Sequence, residues 1–144
     1  MGPRGRSVSA ELLVDTSVAV ALTVGDHEHH EETFRALGGR RLGLAGHAAF
    51  ESFSVLTRLP PPARRTPAAV ARLLKAGFPH SRFLGARAAA SLLTRLADEG
   101  IGGSSTYDAL VGATASEHRM TLATRDRRAL DTYRLLEVDV EFLS

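Results

Sequence analysis

The sequence contains no cysteine and no tryptophan, and only one of its 18 basic residues is a lysine. Without cysteine, both a disulfide framework and a thiolate metal site are excluded, which fits a protein of the reducing cytoplasm. No apolar run approaches the roughly 20 residues that a membrane-spanning helix needs, so no membrane association is expected. Arg4 and Arg6 precede an apolar stretch, as in a secretory signal peptide, but Asp15 interrupts that stretch.

What is present indicates one ordinary globular domain. A chain of 144 residues is long enough for a single core, and 44% hydrophobic and 24% charged residues are normal proportions. The formal net charge of +2 is small although 17 residues are arginine. We expect residues 1–10 to form a loose extension and residues 11–144 to form the domain.

Short apolar runs alternate with longer segments of helical composition. Proline and glycine mark several of the boundaries, as at Pro60–Pro62 and Gly100. Strands separated by helices predict an α/β fold of three layers, α/β/α, with a mainly parallel sheet of about five strands. The predicted strands are 11–16, 42–46, 78–84, 120–124 and 137–142, and the predicted helices are 17–24, 26–37, 48–59, 67–76, 85–99, 107–118 and 127–133.

Two acidic residues fall at the ends of predicted strands. Asp15 ends the run LLVD, and Asp126 comes just after the strand MTLAT. In open parallel sheets, functional sites form at the carboxyl ends of the strands, so these two side chains are expected to converge.

Two further acids lie in helical segments that otherwise look buried. Glu51 is flanked by Phe50 and Phe53, and Asp108 lies in TYDALVGATA among small and apolar residues. An acid near a helix start is commonly a cap or a partner of the helix dipole, and that interpretation stays open for Asp108. It is weaker for Glu51, which lies in mid-segment.

Four carboxylates in one pocket require a counter-charge. Two of them about 4 Å apart repel by about 4 kcal/mol at an effective dielectric constant of about 20. They must share protons or bind a cation, and oxygen-only ligands favour Mg²⁺ or Mn²⁺ over structural zinc. Such a site supports hydrolysis of a phosphodiester by activated water.

The segments DTSVAVAL, HAAFESFSVLTRL, YDALVGATASEH and LATRDRRAL, in this order, resemble the motifs of PIN-domain ribonucleases. More narrowly, the chain resembles the VapC toxins of bacterial toxin–antitoxin pairs. The resemblance runs from about Leu12 to the C-terminus. It implies a PIN-like fold, an endoribonuclease that uses Mg²⁺ or Mn²⁺, a homodimer, and a VapB-like antitoxin as protein partner.

The resemblance also implies roles for single residues. Asp15 and Asp108 match the main metal ligands, and Glu51 and Asp126 match the acids that complete the metal shell or orient the water. Thr16 and Thr124 match hydroxyl positions that support these acids. The arginines on either side of Asp126, which are Arg125 and Arg127, are candidates for contacts with RNA phosphates, and an ordinary surface charge is an equally good interpretation of each.

Other interpretations fit less well. The cluster DHEHHEE, Asp26 to Glu32, lacks the H-E-x-x-H spacing of a zinc site and is predicted to be the solvated start of a helix. A phosphatase with Asp15 as phosphoacceptor needs an acid at position 17, where serine stands. A response-regulator receiver needs a lysine after a late strand, whereas Lys75 lies in a predicted helix. The remaining alternative is a non-catalytic PIN-like module that binds RNA or protein.

Overall fold

The computed structural model describes residues 11–144, so the predicted N-terminal extension lies outside the described residues. Within this range the chain forms one parallel sheet with helices on both faces. The strands are β1 (Glu11–Val14), β2 (Arg41–Leu44), β3 (Leu122–Thr124) and β4 (Val140–Phe142). The helices are α1 (Thr16–Thr23), α2 (His30–Leu37), α3 (His47–Thr57), α4 (Pro67–Gly77), α5 (Ala86–Glu99), α6 (Ser105–Glu117) and α7 (Leu130–Leu135), with a 3₁₀ turn at Arg127–Ala129.

The sheet has the strand order β2-β1-β3-β4, and every pairing is parallel. Alternation along β1 divides the core between the two faces of the sheet. Leu12 and Val14 pack with residues of α1 to α4, whereas Leu13 packs with residues of α6 and α7. A third cluster joins α5 to α6 through Leu92 and Leu96. The predicted three-layer α/β fold is therefore confirmed.

The predicted third strand at 78–84 is not formed. The backbone makes only two isolated bridges to the β2 region, one at Pro79 and one at Arg82. Proline has no N–H to contribute to a ladder. The N–H groups of His80 and Arg82 still donate to β2 carbonyls, at 3.1 Å each. The sheet of the described residues consequently has four strands instead of about five.

Several element boundaries also differ from the prediction. Helix α2 begins at His30, because the preceding residues make turns closed by bonds such as His30 N–H to His27 O at 3.0 Å. Helix α6 begins two residues earlier than predicted, at Ser105. Strand β4 is short because Glu137 has a left-handed backbone, with φ of 57°, before the strand begins. None of the helices in the described range is long and apolar enough to span a membrane.

Candidate active site at the carboxyl edge of the sheet

The four acidic residues singled out in the sequence line one pocket of about 290 Å³. Asp15 and Asp126 follow β1 and β3, which are neighbours in register, so parallel pairing brings them to the same edge. Glu51 lies in the second turn of α3, and Asp108 lies in the first turn of α6. The expectation that these residues converge is thus met by the geometry of the sheet and of two helices packed beside it.

Asp15 is buried, with 5% of its surface exposed, and its carboxylate is held by several donors. One oxygen accepts the Ser17 hydroxyl at 2.6 Å and the Val18 N–H at 3.3 Å, which makes Asp15 the N-cap of α1. The other oxygen accepts the hydroxyl of Tyr133 at 3.0 Å. Burial raises the pKa of Asp15, and these hydrogen bonds oppose that rise. The carboxylate therefore has a fixed orientation.

The other three acids affect the pKa of Asp108. Partial burial and then the negative charges of Asp126, Asp15 and Glu51 raise its pKa to about 6. The cationic Arg128 acts in the opposite direction. Three negative charges act on the Asp108 carboxylate together, which indicates that the four acids share one site.

The two predicted supporting hydroxyls touch the acids. Thr16 donates to a carboxylate oxygen of Glu51 at 3.0 Å. Thr124 accepts the N–H of Asp126 at 3.0 Å and also hydrogen-bonds to Asp15. Thr16 follows Asp15 and binds Glu51, whereas Thr124 lies two residues before Asp126 and binds Asp15, so each threonine ties two parts of the site together.

The two arginines predicted to contact RNA phosphates make contacts elsewhere in the protein. The side chain of Arg125 is 9% exposed and donates to Thr33 at 3.2 Å, so it joins the end of β3 to α2. The guanidinium of Arg127 lies over the ring of Phe142, 4.9 Å from its centre. Neither lines the acidic pocket, and both side chains already have protein partners.

Three residues that were not anticipated contact the acids directly. Arg128 lines the pocket with its side chain 92% exposed, and its Nε lies 3.5 Å from Asp126. Ser17 bridges two strand ends by donating to Asp15 and accepting the N–H of Arg125 at 2.9 Å. Tyr133 reaches Asp15 from α7. The basic run after Asp126 was a signal for Arg128, but no local pattern indicated a partner 118 residues from Asp15.

The donor set fits a hard divalent cation. Among residues 11–144, no three acidic or histidine side chains are arranged as a ready-made metal-binding group. Mg²⁺ typically keeps several waters and binds through one or two carboxylates together with substrate phosphates, so it needs no such group. All four carboxylates line the pocket, and the charges of Asp126, Asp15 and Glu51 all act on Asp108, so each of the four could contribute a ligand.

The histidine-rich segment that leads into α2 uses its ring nitrogens for local contacts. His30 Nδ1 lies 2.8 Å from the carbonyl oxygen of Ala21, and His27 Nδ1 accepts the N–H of His29 at 3.0 Å. The ring of His29 pairs with Glu32 at 3.0 Å. The contact of His30 joins the start of α2 to α1, and none of these residues lines the acidic pocket.

Known proteins resemble this chain over most of its length. A sequence profile of the PIN domain matches residues 12–135. Ribonuclease VapC27 of Mycobacterium tuberculosis strain H37Rv is 46% identical over 129 residues, which cover 90% of this chain and 94% of that protein. Ribonuclease VapC40 of strain CDC 1551 is 47% identical over 132 residues, with 90% and 97% covered.

A solved structure described as FitAB bound to an IR36 DNA fragment superimposes with a TM-score of 0.65. The match covers 91% of this chain and 94% of the other, at 18% sequence identity. At that identity the likeness concerns the fold alone, and it agrees with the parallel sheet and flanking helices described above.

Proposed function

This chain belongs to the PIN-domain family as a VapC-type ribonuclease, and from that premise we propose that it is a metal-dependent endoribonuclease acting as the toxin of a toxin–antitoxin pair. The observation that carries the proposal is the convergence of Asp15, Glu51, Asp108 and Asp126 on one pocket, where burial and then the charges of the other three raise the pKa of Asp108. The names of the relatives support RNA as the substrate.

The residues of the pocket are assigned different roles in phosphodiester hydrolysis. A bound Mg²⁺ or Mn²⁺ would supply a Lewis acid that lowers the pKa of water and offsets charge on the phosphate oxygens. Asp15, fixed by Ser17 and Tyr133, and Asp108 are assigned to hold the cation. Glu51, held by Thr16, and Asp126 are assigned to orient the attacking water and accept its proton.

Arg128 is assigned to the RNA phosphate in place of Arg125 and Arg127. Its guanidinium is exposed at the acidic pocket, and a guanidinium binds phosphate oxygens in a bidentate manner. Since the net charge is only +2, general attraction to RNA is modest, and a local cation beside the carboxylates gives the phosphate a defined position.

The alternative is a PIN-like module that binds RNA or protein without cutting. It is disfavoured because all four acids are present and line the same pocket, whereas an inactive relative is expected to have lost one or more of them. A pure binding site for RNA would also gain nothing from four like charges that repel its phosphates.

The purified protein should cut single-stranded RNA when Mg²⁺ or Mn²⁺ is added and should not cut it in EDTA. Asp15→Asn and Asp108→Asn should each lower the rate at least about 100-fold, because each removes a charge that holds the cation. Asp98→Asn, an acid exposed on α5, is the matched control and should cut at the wild-type rate. Gel analysis of end-labelled RNA gives the rates, and equal cutting by wild type and both site variants would refute the assignment.

The proposed partners are a VapB-like antitoxin and a second copy of this chain. Expression of the chain alone should arrest bacterial growth, and co-expression of its antitoxin should restore growth. Asp15→Asn expressed to the same level should leave growth unaffected, because only cutting is toxic. Growth curves with matched immunoblots measure this, and arrest by Asp15→Asn as strong as by wild type would contradict a catalytic toxin.

A further inference from the structure

Two stacked aromatic rings come from α3 and α6, the helices that carry Glu51 and Asp108. The ring of His47, at the start of α3, is stacked on the ring of Tyr107 in α6, with centroids 4.9 Å apart and planes 19° from parallel. Tyr107 directly precedes Asp108 and lines the pocket. His47 is four residues before Glu51, so both lie on one face of α3. The stacked pair and the acids are therefore held by the same two helices.

The position of this pair is not required by the hydrophobic core. Tyr107 is 49% exposed, and neither ring belongs to the three core clusters of the described residues. Mutual stacking fixes the orientation of the tyrosine ring before any ligand arrives, which reduces the entropy lost when a planar group binds there. The pair is thus a preorganised flat surface at a polar pocket.

We propose that the His47–Tyr107 pair is a stacking platform for an unpaired nucleobase next to the cleaved phosphodiester. The inference rests on the proposed RNA-cleaving function and extends it by naming what selects the substrate. An RNA whose phosphate lies against the acids must place an adjoining nucleotide near the pocket wall, where Tyr107 stands. Bases of single-stranded nucleic acid stack on aromatic side chains, whereas paired bases in an RNA helix are not free to do so.

An aromatic ring beside an exposed guanidinium favours RNA over a protein partner. Arg128 lines the same pocket as Tyr107 and is almost fully exposed, so one site offers both an aromatic ring and a guanidinium. That combination is characteristic of sites for single-stranded nucleic acid, in which the cation contacts the backbone and the ring contacts a base. The platform consequently restricts cutting to nucleotides whose bases can leave the stack of a helix.

The experiment removes the base and the ring separately. Synthetic RNAs carry a single abasic nucleotide at each of the two positions on either side of the cleaved bond. For the wild type, one of these RNAs should show kcat/KM about tenfold lower than the intact RNA, in line with the loss of one base–aromatic stack. Tyr107→Ala should cut intact RNA about tenfold more slowly, and the same abasic change should then make no further difference.

Matched variants separate stacking from folding. Tyr107→Phe keeps the ring and should retain the wild-type response to the abasic series. Phe34→Ala is the control, because Phe34 is 63% exposed, lies 6.1 Å from the ring of His30 and does not line the acidic pocket. It should behave like the wild type. If every abasic RNA slows Tyr107→Ala as much as it slows the wild type, the platform is disproved.

A binding measurement keeps the test independent of catalysis. RNA with 2-aminopurine at the sensitive position, or at each tested position in turn if no cutting occurs, is titrated in Mg²⁺ with protein that carries Glu51→Gln, so that the cation offsets the repulsion of RNA phosphates while cutting is suppressed. Stacking should quench its fluorescence when Tyr107 is intact and for Tyr107→Phe but not for Tyr107→Ala. No cutting by the wild type together with normal quenching would defeat the proposed function alone, whereas cutting by the wild type without quenching would defeat the platform alone. Loss of the dimer in Tyr107→Ala, without loss of quenching, would also overturn it by marking a protein interface.

Discussion

At the scale of single residues, Asp15 and Asp108 carry the same functional group in two different environments. Asp15 is buried and surrounded by hydroxyl and N–H donors, so its orientation is fixed by short hydrogen bonds. Asp108 is partly exposed, and its proton affinity reflects burial and three neighbouring negative charges. Hydrogen bonds thus fix the orientation of Asp15, whereas burial and neighbouring charges determine the pKa of Asp108.

Replacement of Asp108 by Asn should stabilise the protein at neutral pH. Because the folded pKa of about 6 exceeds the ordinary value of 3.8, the folded state binds the proton more tightly between these pH values. Stability contributed by this group is therefore full below about pH 4 and falls as pH rises to about 6. Asn avoids that loss, and after solvent screening we expect a gain of about 1 kcal/mol, or about 4 °C in Tm, at pH 7.5.

Thermal unfolding at pH 4 and pH 7.5 without divalent cation measures the effect. Wild type and Asp108→Asn should unfold at similar temperatures at pH 4 and differ at pH 7.5. Asp98→Asn should stay within about 1 °C of wild type at both pH values, as exposed surface substitutions usually do. A difference for Asp108→Asn that is the same at both pH values would show that charge repulsion is not its source.

At the scale of elements, the site depends on junctions where strands end. Ser17 joins the start of α1 to Arg125, the residue after β3, and the side chain of Arg125 joins this residue to α2.

The segment after α4 runs alongside β2 without forming a strand, and Gly43 permits this close approach. A Cβ at Gly43 would overlap the carbonyl group of His80 and lie 2.6 Å from the nitrogen of Ser81. The absence of a side chain at Gly43 therefore allows this segment to pack against β2 at the edge of the sheet.

Gly43→Ala should destabilise the protein by about 3 kcal/mol, because the new methyl group meets backbone atoms that cannot rotate away. Gly77→Ala is the matched control, since a Cβ at Gly77, the last residue of α4, meets nothing within 4 Å. Its free energy of unfolding should stay within about 0.5 kcal/mol of wild type. Urea unfolding measures both variants, and equal midpoints would mean that the segment 78–84 is not packed on β2 as described.

At the scale of the whole molecule, charge is distributed unevenly. The chain has a formal charge of +2, yet four carboxylates converge on one pocket. Repulsion inside that pocket opposes folding, and a bound cation would remove it. The stability of the entire domain is consequently linked to the occupancy of one small site.

Mg²⁺ or Mn²⁺ should raise Tm in a concentration-dependent way. Above the Kd, each tenfold increase in free cation adds about 1.4 kcal/mol to the free energy of unfolding, because the cation binds the folded state. NaCl at matched ionic strength should give a smaller shift without saturation, since it only screens charge. Asp15→Asn and Asp108→Asn should lose most of the cation-induced shift. A shift of wild-type size in both variants would place the cation elsewhere.

The amino-acid sequence by itself determined the class of fold and the identity of the four acids. Alternating apolar runs and helix boundaries such as Thr66–Pro67 and Gly100 are local signals, since capping and periodicity act within a few residues. Asp15 and Asp126 could be paired in advance because parallel strands bring their carboxyl ends to one edge. The segment 78–84 was wrongly predicted as a strand because its apolar residues satisfied a local pattern, whereas Pro79 limited its pairing.

Only the tertiary structure decided which side chains surround the acids. Tyr133 reaches Asp15 across 118 positions, and Arg125 turns to Thr33 across 92, distances at which no sequence period operates. Arg128 lines the pocket, whereas the sequence analysis had named only Arg125 and Arg127 as candidates for phosphate contacts. Such contacts depend on how helices pack on the sheet, and that packing is set by burial summed over the whole core. The physical reason is that local free energies specify elements, whereas a site arises where separately specified elements meet.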